Sequence, residues 1–480
     1  MDFRRALPSI ATTVVGFGQA GSRIADKFAG FKTADGKTVY VTHALNSNDG
    51  DLAELKHIPL ENRVSLKLGG MGKDPEKGLR VLEENENARA ILRDFIRNKV
   101  KPTDELTLFI AGLGGGSGTS TIIKAIEEFH DHHNNSLLKA KLLEIKENVG
   151  HEEFSRNVRK YQVEAFQQVR HKYKKVGVIV TIPTRSDGPD VLRQVSSFAS
   201  KIWEITKNKT KGIAFTIFAD NQMFYDRFQS ISSDGRYNNY RDFANAELSS
   251  IFHEINVGSN IGGTSVTIDS NDFRRVIMEH NGCLILNRVE QNAKTVTNAT
   301  ELKQLFLSSL ESNNFHDPIR LEEETENEET KSYAKVFHVG LLAIIPPELN
   351  HIGSSFIDDA KEEISSRLPL QGTIFSGFLN EHNQYNATIY TFYKAEALPT
   401  RLSIGLVEEY EEFMKKQQKI RFKTEGISQI AVAAEEFDFD DIDMLSEMGI
   451  EIKDSDITDT SDTPEVDEDF DFSDITPEDL

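Results

Sequence analysis

Short apolar runs alternate along the chain with longer segments in which apolar residues recur every three or four positions. The runs have the composition of buried β-strands, and the longer segments have the periodicity of amphipathic helices. Five such strands are predicted in the first half of the chain, at residues 12–15, 38–45, 106–110, 176–181 and 213–219. Because strands that alternate with helices form parallel sheets, we predict an α/β fold with a Rossmann-like, mostly parallel sheet. Ligands of such sheets bind at the carboxyl ends of the strands.

The second half of the chain begins with a long helix, predicted over residues 240–257 because its apolar side chains return on one face. Beyond residue 281 the pattern changes, with strands predicted at residues 283–286, 336–345, 372–379 and 387–393. Helices lie between some of these strands, which predicts a smaller α+β domain. A charged helix is predicted from residue 399 to about residue 421.

Two charged helical segments interrupt the first half of the pattern. The first is predicted at about residues 76–99, and the second fills the roughly 55 residues between Ser120 and the strand at residue 176. The polar stretch at residues 131–136 predicts a break between helices in the second segment. We expect residues 121–175 to form an additional surface layer.

The net charge of the 480-residue chain is −22, and it is concentrated at one end. Residues 435–480 contain 20 Asp or Glu and one Lys, a net charge of −19, which leaves −3 for the rest. This acidic tail is predicted to be solvated and disordered, and it would repel nucleic acid. It contains Phe-Asp-Phe twice, at residues 437–439 and 470–472. The repeat suits docking to a basic partner or a neighbouring subunit, or simply solubility.

Cellular location is predicted from three features of the sequence. No stretch approaches the roughly 20 apolar residues of a membrane span, and residues 1–5 lack the apolar core of a secretory signal. The single cysteine, Cys283, excludes an internal disulfide and suits packing in a reducing compartment. We therefore expect a cytoplasmic protein without a membrane segment.

Three glycine-rich loops precede predicted helices. Residues 16–21 form a GxGxxG turn, residues 69–72 contain three glycines, and residues 112–120 contain five. Glycine lets backbone N–H groups approach a phosphate, and the N-terminus of the following helix adds its dipole. The three loops therefore predict a site for nucleotide phosphates.

The end of the second predicted strand bears on the class of nucleotide. This strand ends at Asn46, whereas a dinucleotide-dependent dehydrogenase would place Asp or Glu there to bind a ribose. A Rossmann-type oxidoreductase is therefore kept only as an alternative. A non-catalytic scaffold that works through its acidic tail is a further alternative.

Two acids open a predicted helix beyond the long one. Asp269 and Asp272 are three residues apart, a spacing that suits capping of the helix N-terminus. The same pair suits catalysis, because hydrolysis of a phosphoanhydride needs an oriented water and control of charge. Both interpretations stay open on the residues alone.

These motifs together resemble the tubulin/FtsZ superfamily of filament-forming GTPases. Residues 114–120, Gly-Gly-Gly-Ser-Gly-Thr-Ser, are similar to the family signature Gly-Gly-Gly-Thr-Gly-(Thr/Ser)-Gly, with Ser120 in place of the last glycine. The resemblance covers roughly residues 12–290 in ordered motifs and the second domain in layout. The opening Gly-Phe-Gly-Gln-Ala-Gly-Ser-Arg is most similar to the TubZ group of plasmid- and phage-borne relatives, with the phage PhuZ group as the nearest alternative.

The resemblance implies a set of residues that bind GTP or GDP. The first loop supplies Gly16, Gly18, Gln19 and Gly21. The second loop supplies Asn46 and Asp49, close to the phosphates and magnesium. The third loop, which senses the γ-phosphate, supplies Gly70, Met71 and Gly72. The fourth loop wraps the phosphates with Gly114, Gly115, Gly116, Ser117, Gly118 and Thr119. The nucleoside is expected to meet Asp187 at the ribose, Asp220 or Asn221 near the base, and Asn245 at guanine.

The resemblance also implies where catalysis takes place. Asp269 and Asp272 match the family's catalytic loop, with Thr267 where Asn is usual. In the family this loop reaches the nucleotide of the next subunit, so GTP hydrolysis requires head-to-tail homopolymers. The expected function is a dynamic filament that segregates or positions plasmid or phage DNA. A DNA-binding adaptor, contacted through the acidic tail, would carry the DNA, with no direct contact to nucleic acid or membrane.

The family layout divides the chain into six predicted segments. The first three are a GTP-binding domain at residues 1–239, a central helix at 240–260, and a catalytic loop and helix at 261–280. The last three are an α+β activation domain at residues 281–398, a C-terminal helix and extension at 399–434, and the acidic tail at 435–480.

Overall fold

The computed structural model describes most of the chain, namely residues 2–100, 104–231, 235–261, 267–323, 332–382 and 384–425. The predicted acidic tail at residues 435–480 and the preceding residues 426–434 lie outside the described ranges. Residues 262–266, the first part of the predicted catalytic loop, also lie outside them.

One sheet organises the described residues, with its strands in the order β11-β10-β12-β7-β6-β5-β4-β1-β2-β3. Two further short strands pair with each other. The strands are β1 (Thr12–Phe17), β2 (Val41–Asn46), β3 (Arg63–Ser65), β4 (Leu106–Gly112), β5 (Lys175–Ile182), β6 (Ile213–Asp220), β7 (Cys283–Asn292), β8 (Glu322–Glu323), β9 (Ser332–Tyr333), β10 (Val336–Ile345), β11 (Ile374–Asn380) and β12 (Asn386–Ala395).

The strand pairing is mostly parallel. All neighbours from β3 to β7 pair in parallel, and so do β10 and β11. Among the described strands of this ten-stranded sheet only β12 runs against its neighbours, β7 and β10, and the separate β8–β9 pair is also antiparallel. This topology confirms the predicted α/β fold with a mostly parallel sheet. The sheet continues across residue 281, because Thr216 in β6 pairs with Cys283 in β7.

Helices connect most of the strands. They are α1 (Gly18–Ala29), α2 (Asp49–Ala53), α3 (Pro75–Glu84), α4 (Glu86–Asp94), α5 (Gly116–Phe129), α6 (Ser136–Val149), α7 (His151–Arg156), α8 (Val158–Val169), α9 (Pro189–Lys207), α10 (Asn221–Ile231), α11 (Tyr240–Gly258), α12 (Ser270–Met278), α13 (Ala299–Ser312), α14 (Ser355–Arg367) and α15 (Leu406–Glu425). No helix in the described ranges is both long and apolar enough to cross a lipid bilayer.

Two of the helix predictions are wrong in detail. The helix predicted at residues 76–99 is two helices, because the Asn85 side chain accepts a hydrogen bond from the Ala88 N–H and begins α4 there. The break predicted at residues 131–136 is not a loop but a π-helical turn, His130–Asn135, which separates α5 from α6. Asn134 stabilises this turn by bonding to both the N–H and the carbonyl of Lys174.

The central helix α11 covers one face of the sheet. Its side chains Ile251, Phe252 and Ile255 are buried in the same cluster as Phe28 of α1. The rings of Phe28 and Phe252 meet edge to face, with centroids 5.9 Å apart. Each buried side chain of this size contributes roughly 1.5–3 kcal/mol to folding. This packing fixes α11 along the sheet from one end of the strands toward the other.

A buried cluster of charges ties α11 to the N-terminal segment and to β7 and β12. Glu254 of α11 accepts hydrogen bonds from Arg4 Nε (2.6 Å), Arg288 Nη1 of β7 (3.1 Å) and the Tyr390 hydroxyl of β12 (2.7 Å). Burial alone would raise the pKa of Glu254, but the two guanidinium groups hold it below its ordinary value. The position of α11 is therefore set by directed bonds as well as by packing.

Candidate functional site

A cleft of about 350 Å³ lies at the carboxyl ends of the parallel strands. It is bordered by the segments that follow each of the strands β1 to β6 and by the start of α11. Its lining residues are Phe17, Gln19, Ala20, Asn46, Ser47, Asn48, Asp51, Gly70, Met71, Gly72, Lys73, Gly112, Gly114, Gly115, Gly116, Ser117, Gly118, Thr181, Pro183, Asp187, Asn221, Tyr240 and Arg241. The three predicted glycine loops thus converge on one cavity.

The glycine loops approach one another more closely than side chains would permit. Gly18 has φ +66°, and a Cβ atom there would lie 2.7 Å from Gly118 Cα. The N–H of Gly116 donates to the Gly72 carbonyl at 2.9 Å, which joins the third loop to the fourth. Glycine at these positions therefore keeps the three loops within reach of one ligand.

Two helices begin at the cleft without a side-chain cap. The N-cap positions of α1 and α5 are Phe17 and Gly115, and neither makes a side-chain capping bond. By contrast, α2, α3 and α4 are capped by Asn48, Asp74 and Asn85. Helix N-termini carry partial positive charge and unpaired N–H donors, so two of them beside one cleft form an anion site.

The acid in the second loop that lines the cleft is Asp51. Its carboxylate accepts from Gln19 Nε2 at 2.8 Å and from Asn46 Nδ2 at 2.9 Å. Asp49, which the sequence assigns to this region, does not line the cleft and instead pairs with Lys67 at 2.8 Å on the surface. The hydroxyls of Ser47 and Ser117 meet nearby, 2.7 Å apart.

An ion pair joins two loops across the cleft. Lys73 Nζ of the third loop lies 2.5 Å from Asp187 Oδ1, and Asp187 Oδ2 accepts from the Thr184 N–H at 3.0 Å. Partial burial works to raise the pKa of Asp187, but the bonds from Lys73 and Thr184 lower it. Asp187 is therefore held as an anion in the lining of the cleft.

Two sets of predicted residues lie outside the cleft lining. Gly16, Gly21 and Thr119 pack behind it; a Cβ atom at Gly21 would lie 2.0 Å from the Ile110 carbonyl oxygen. Asp220 is buried behind Asn221, and Asn245 lies further along α11 than the lining residues.

The sequence interpretation missed seven polar or charged lining residues: Ser47, Asn48, Asp51, Lys73, Thr181, Tyr240 and Arg241. Tyr240 and Arg241 are the first residues of α11. Their place at the N-terminus of the long helix is the signal that could have identified them, because helix starts and strand ends share one edge of such a sheet.

Asp269 and Asp272 form a capping box at the start of α12. The Asp269 carboxylate accepts from the N–H groups of Asn271 (2.7 Å) and Asp272 (2.8 Å), and the Asp272 carboxylate accepts from the Asp269 N–H at 3.4 Å. Partial burial and the neighbouring Asp269 raise the pKa of Asp272. Asp269 is exposed, so its carboxylate keeps a face open to solvent.

The two acids lie at the opposite end of the strands from the cleft. Ser270 Oγ donates to Asn260 Oδ1 at 2.9 Å, just beyond the last residue of α11. Arg274 Nη2 of α12 donates to the carbonyl of Ser9, which precedes β1. Because α11 starts at the cleft and has 19 residues, its two ends are about 27 Å apart. The acids cannot reach the cleft of their own chain.

The chain is similar in sequence to known tubulin-like proteins. No protein-family model matches the chain. It is 23% identical to the tubulin-like protein TubZ of Bacillus cereus over 445 residues, 89% of this chain and 87% of the relative. It is 26% identical to TubZ of Bacillus thuringiensis subsp. israelensis over 293 residues, 56% of this chain and 52% of that relative.

Solved structures resemble the whole described fold. A helical model of a two-stranded TubZ-Bt filament matches with a TM-score of 0.66 at 21% identity, covering 90% of this chain and 95% of that one. A GTPγS-form protofilament of B. thuringiensis serovar israelensis TubZ matches with a TM-score of 0.64 at 19% identity, covering 89% and 97%.

Proposed function

We propose that this chain, a protein of the tubulin/FtsZ superfamily with the fold of the TubZ filament structures, is a GTPase that assembles head to tail into filaments. In this proposal GTP binds in the cleft and is hydrolysed to GDP and phosphate between successive copies. Structures of the similar TubZ from B. thuringiensis in GTPγS and GDP forms, both described as protofilaments, support the choice of nucleotide and of assembly.

The separation of the two acids from the cleft carries the proposal. Asp269 and Asp272 lie at the amino ends of the strands, whereas the cleft lies at the carboxyl ends. Stacking a second copy in the same orientation would bring the acids of one chain to the cleft of the next. Such a contact uses two different surfaces, so it repeats without closing and generates a filament.

The two halves of the cleft suit the two halves of a nucleotide. The glycine loops and the uncapped starts of α1 and α5 offer N–H donors to phosphates. The other half contains Asp187 for the ribose hydroxyls, Asn221 for the edge of a base and Tyr240 for its face. We infer that the glycine half holds the phosphates and that Asn221, Tyr240 and Arg241 face the nucleoside.

The second loop fits a magnesium ion that accompanies the phosphates. Magnesium prefers oxygen ligands, and the Asp51 carboxylate, the Asn46 amide and the hydroxyls of Ser47 and Ser117 lie together there. When bound, the ion would neutralise charge on the phosphates. Asp51 replaces Asp49 in this proposal, because Asp49 is paired with Lys67 outside the cleft.

The catalytic roles follow from the chemistry of each group. Asp269, exposed and held by its own helix, would accept a hydrogen bond from the attacking water and orient it toward the γ-phosphorus. The bond from the γ-phosphorus to the GDP oxygen breaks as the water oxygen bonds, and the water's proton leaves to solvent. Asp272 would hold Asp269 in place and add negative charge that orients the water.

We extend the proposal to the use of the filament. Filaments that move or position plasmid or phage DNA in the cytoplasm would need an adaptor, since a tail of net charge −19 repels DNA. The name of one structural relative, a type III plasmid segregation TubZ, supports this use. The alternative within the superfamily is a PhuZ-like filament that positions replicating phage DNA.

Assembly and hydrolysis can be tested together on the full chain. With GTP and Mg²⁺, light scattering should rise above a threshold protein concentration, and GTP hydrolysis per chain should rise at the same threshold. GDP and ATP serve as controls and should give neither signal. A hydrolysis rate per chain that does not change with concentration would contradict a site shared between copies. Absence of scattering at every concentration would contradict the filament.

A further inference from the structure

A buried arginine joins the start of the C-terminal helix to the cleft. Arg401 is only 3% exposed and lies in the π-helical turn Arg401–Gly405, directly before α15. Its Nη1 donates to the Pro183 carbonyl at 2.9 Å and to Asp220 Oδ1 at 2.5 Å. Its Nε and Nη2 donate to the two carboxylate oxygens of Glu409, both at 3.0 Å. A single guanidinium thus binds both cleft loops and the first turns of α15.

Both loops that Arg401 holds reach the nucleoside half of the cleft. Pro183 itself lines the cleft, and Asp220 precedes Asn221, which lines it too. Asp220 Oδ1 also accepts from the Gln222 N–H at 2.9 Å, which fixes the turn around Asn221. Movement of the guanidinium would therefore displace two lining residues on that side.

A second set of bonds joins the same helix, α15, to the same two loops. Glu409 Oε1 accepts from Arg185 Nε at 2.9 Å, and the Arg185 N–H donates to Gln222 Oε1 at 3.0 Å. Arg185 is largely exposed, so its ion pair contributes little by itself. The bond from the Arg185 N–H to Gln222 holds the loop after β5 against the turn after β6.

The charges of this cluster explain why the bonds matter. Burial raises the pKa of Asp220 to about 6 even with Arg401 beside it, and Asp317 adds to the rise. Without the guanidinium, Asp220 would be a buried carboxylate lacking its cation, which is strongly unfavourable. The two loops would then rearrange to admit water, or the Asp220 carboxylate would take up a proton.

We propose that Arg401 and Glu409 are positioning residues for the nucleotide, through which the start of the C-terminal helix holds the nucleoside half of the cleft. The inference rests on the proposed binding of GTP and GDP. Because the phosphate loops make no part of this cluster, loss of the guanidinium should weaken binding of both nucleotides equally. Hydrolysis at saturating GTP should change little, since Arg401 bonds to the loops of Pro183 and Asp220 on the nucleoside side and not to the loops that hold the phosphates.

The test uses the full chain, with binding of fluorescent GTP and GDP measured by titration. Arg401→Met is expected to raise both dissociation constants by roughly tenfold, which corresponds to a loss of about 1.4 kcal/mol from the contacts with the nucleoside. The KM for GTP should rise in proportion, with kcat retained. Arg367→Met breaks exposed ion pairs with Glu311 and Glu363 and is the matched control, with unchanged binding.

A double variant separates positioning from stability. Arg401→Met with Asp220→Asn removes both buried charges, so thermal stability should return toward wild type while both dissociation constants stay raised. Recovery of nucleotide binding together with stability would overturn the positioning role. A wild-type chain that binds neither GTP nor GDP would instead contradict the proposed function, and this inference with it.

Discussion

Replacing Asp269 by Asn should lower GTP hydrolysis by at least about a hundredfold and leave GTP binding and assembly intact. The amide keeps an oxygen that accepts from the N–H groups of Asn271 and Asp272, so α12 stays capped. What is lost is the negative charge that orients the water. Filaments of this variant should therefore persist after wild-type filaments have disassembled. Phosphate release, nucleotide titration and light scattering measure the three properties separately.

A matched control distinguishes this effect from a general loss of surface charge. Asp358 is an exposed acid in the first turn of α14, and Asp358→Asn removes the same charge from a comparable position. Its hydrolysis rate should equal that of wild type. If Asp269→Asn hydrolysed GTP normally, or failed to bind GTP, the catalytic role assigned to Asp269 would be wrong.

Replacing Gly18 by Ala should weaken GTP binding by at least roughly tenfold. The new Cβ atom would lie 2.7 Å from the backbone of Gly118, so the first and fourth loops must move apart. Overpacking of this kind costs about 1–3 kcal/mol, and 1.4 kcal/mol corresponds to a factor of ten in a dissociation constant. Titration with fluorescent GTP and GDP measures the loss, which should be similar for both.

Gly36→Ala is the control for backbone strain at Gly18. Gly36 also has a positive φ, +82°, but no atom lies within 4 Å of the Cβ position. Both variants should lose some thermal stability, because alanine is strained at positive φ. Only Gly18→Ala should lose nucleotide affinity. Equal affinity in the two variants would mean that the close approach of Gly18 and Gly118 does not shape the cleft.

Much of the sheet and the glycine loops could be predicted from the sequence. Buried parallel strands appear as continuous apolar runs, and β10 begins and ends where its run does, at Val336 and Ile345. The loops at Gly18 and Gly116 are recognisable because only glycine permits their close approach, and Gly72 has a positive φ of +63° that favours glycine. These features depend on the residue types within one short segment, so they can be recognised without knowing the rest of the fold.

Contacts between distant segments were harder to predict. Asp49 and Asp51 are two residues apart in one loop, and only the position of Lys67 and Gln19 decides which acid reaches the cleft. Asp220 ends β6 at the edge of the sheet that borders the cleft, but it is buried. Its partner there is Arg401, which lies 181 residues later in the chain. Periodicity does not encode such partners.

The rotation and start of a helix were also hard to predict. Asn245 lies on α11, the helix whose start borders the cleft. The residues of α11 that line the cleft are its first two, Tyr240 and Arg241. At the other end of the molecule the capping pattern of Asp269 and Asp272 is real, and it does not exclude catalysis. An exposed cap is a fixed carboxylate, which is also what a neighbouring subunit's nucleotide would need.

If each active site is shared by two copies of the chain, mixing two inactive variants should restore hydrolysis. Asp269→Asn supplies a cleft with GTP but lacks the acid, and Gly18→Ala supplies the acid but binds GTP poorly. At low GTP, each variant alone should hydrolyse almost none, and their mixture should recover a substantial part of the wild-type rate. A chain that carries both Gly18→Ala and Asp269→Asn is the control. Mixed with Asp269→Asn, it should stay inactive. A mixture that assembles and yet hydrolyses no GTP would contradict the shared site.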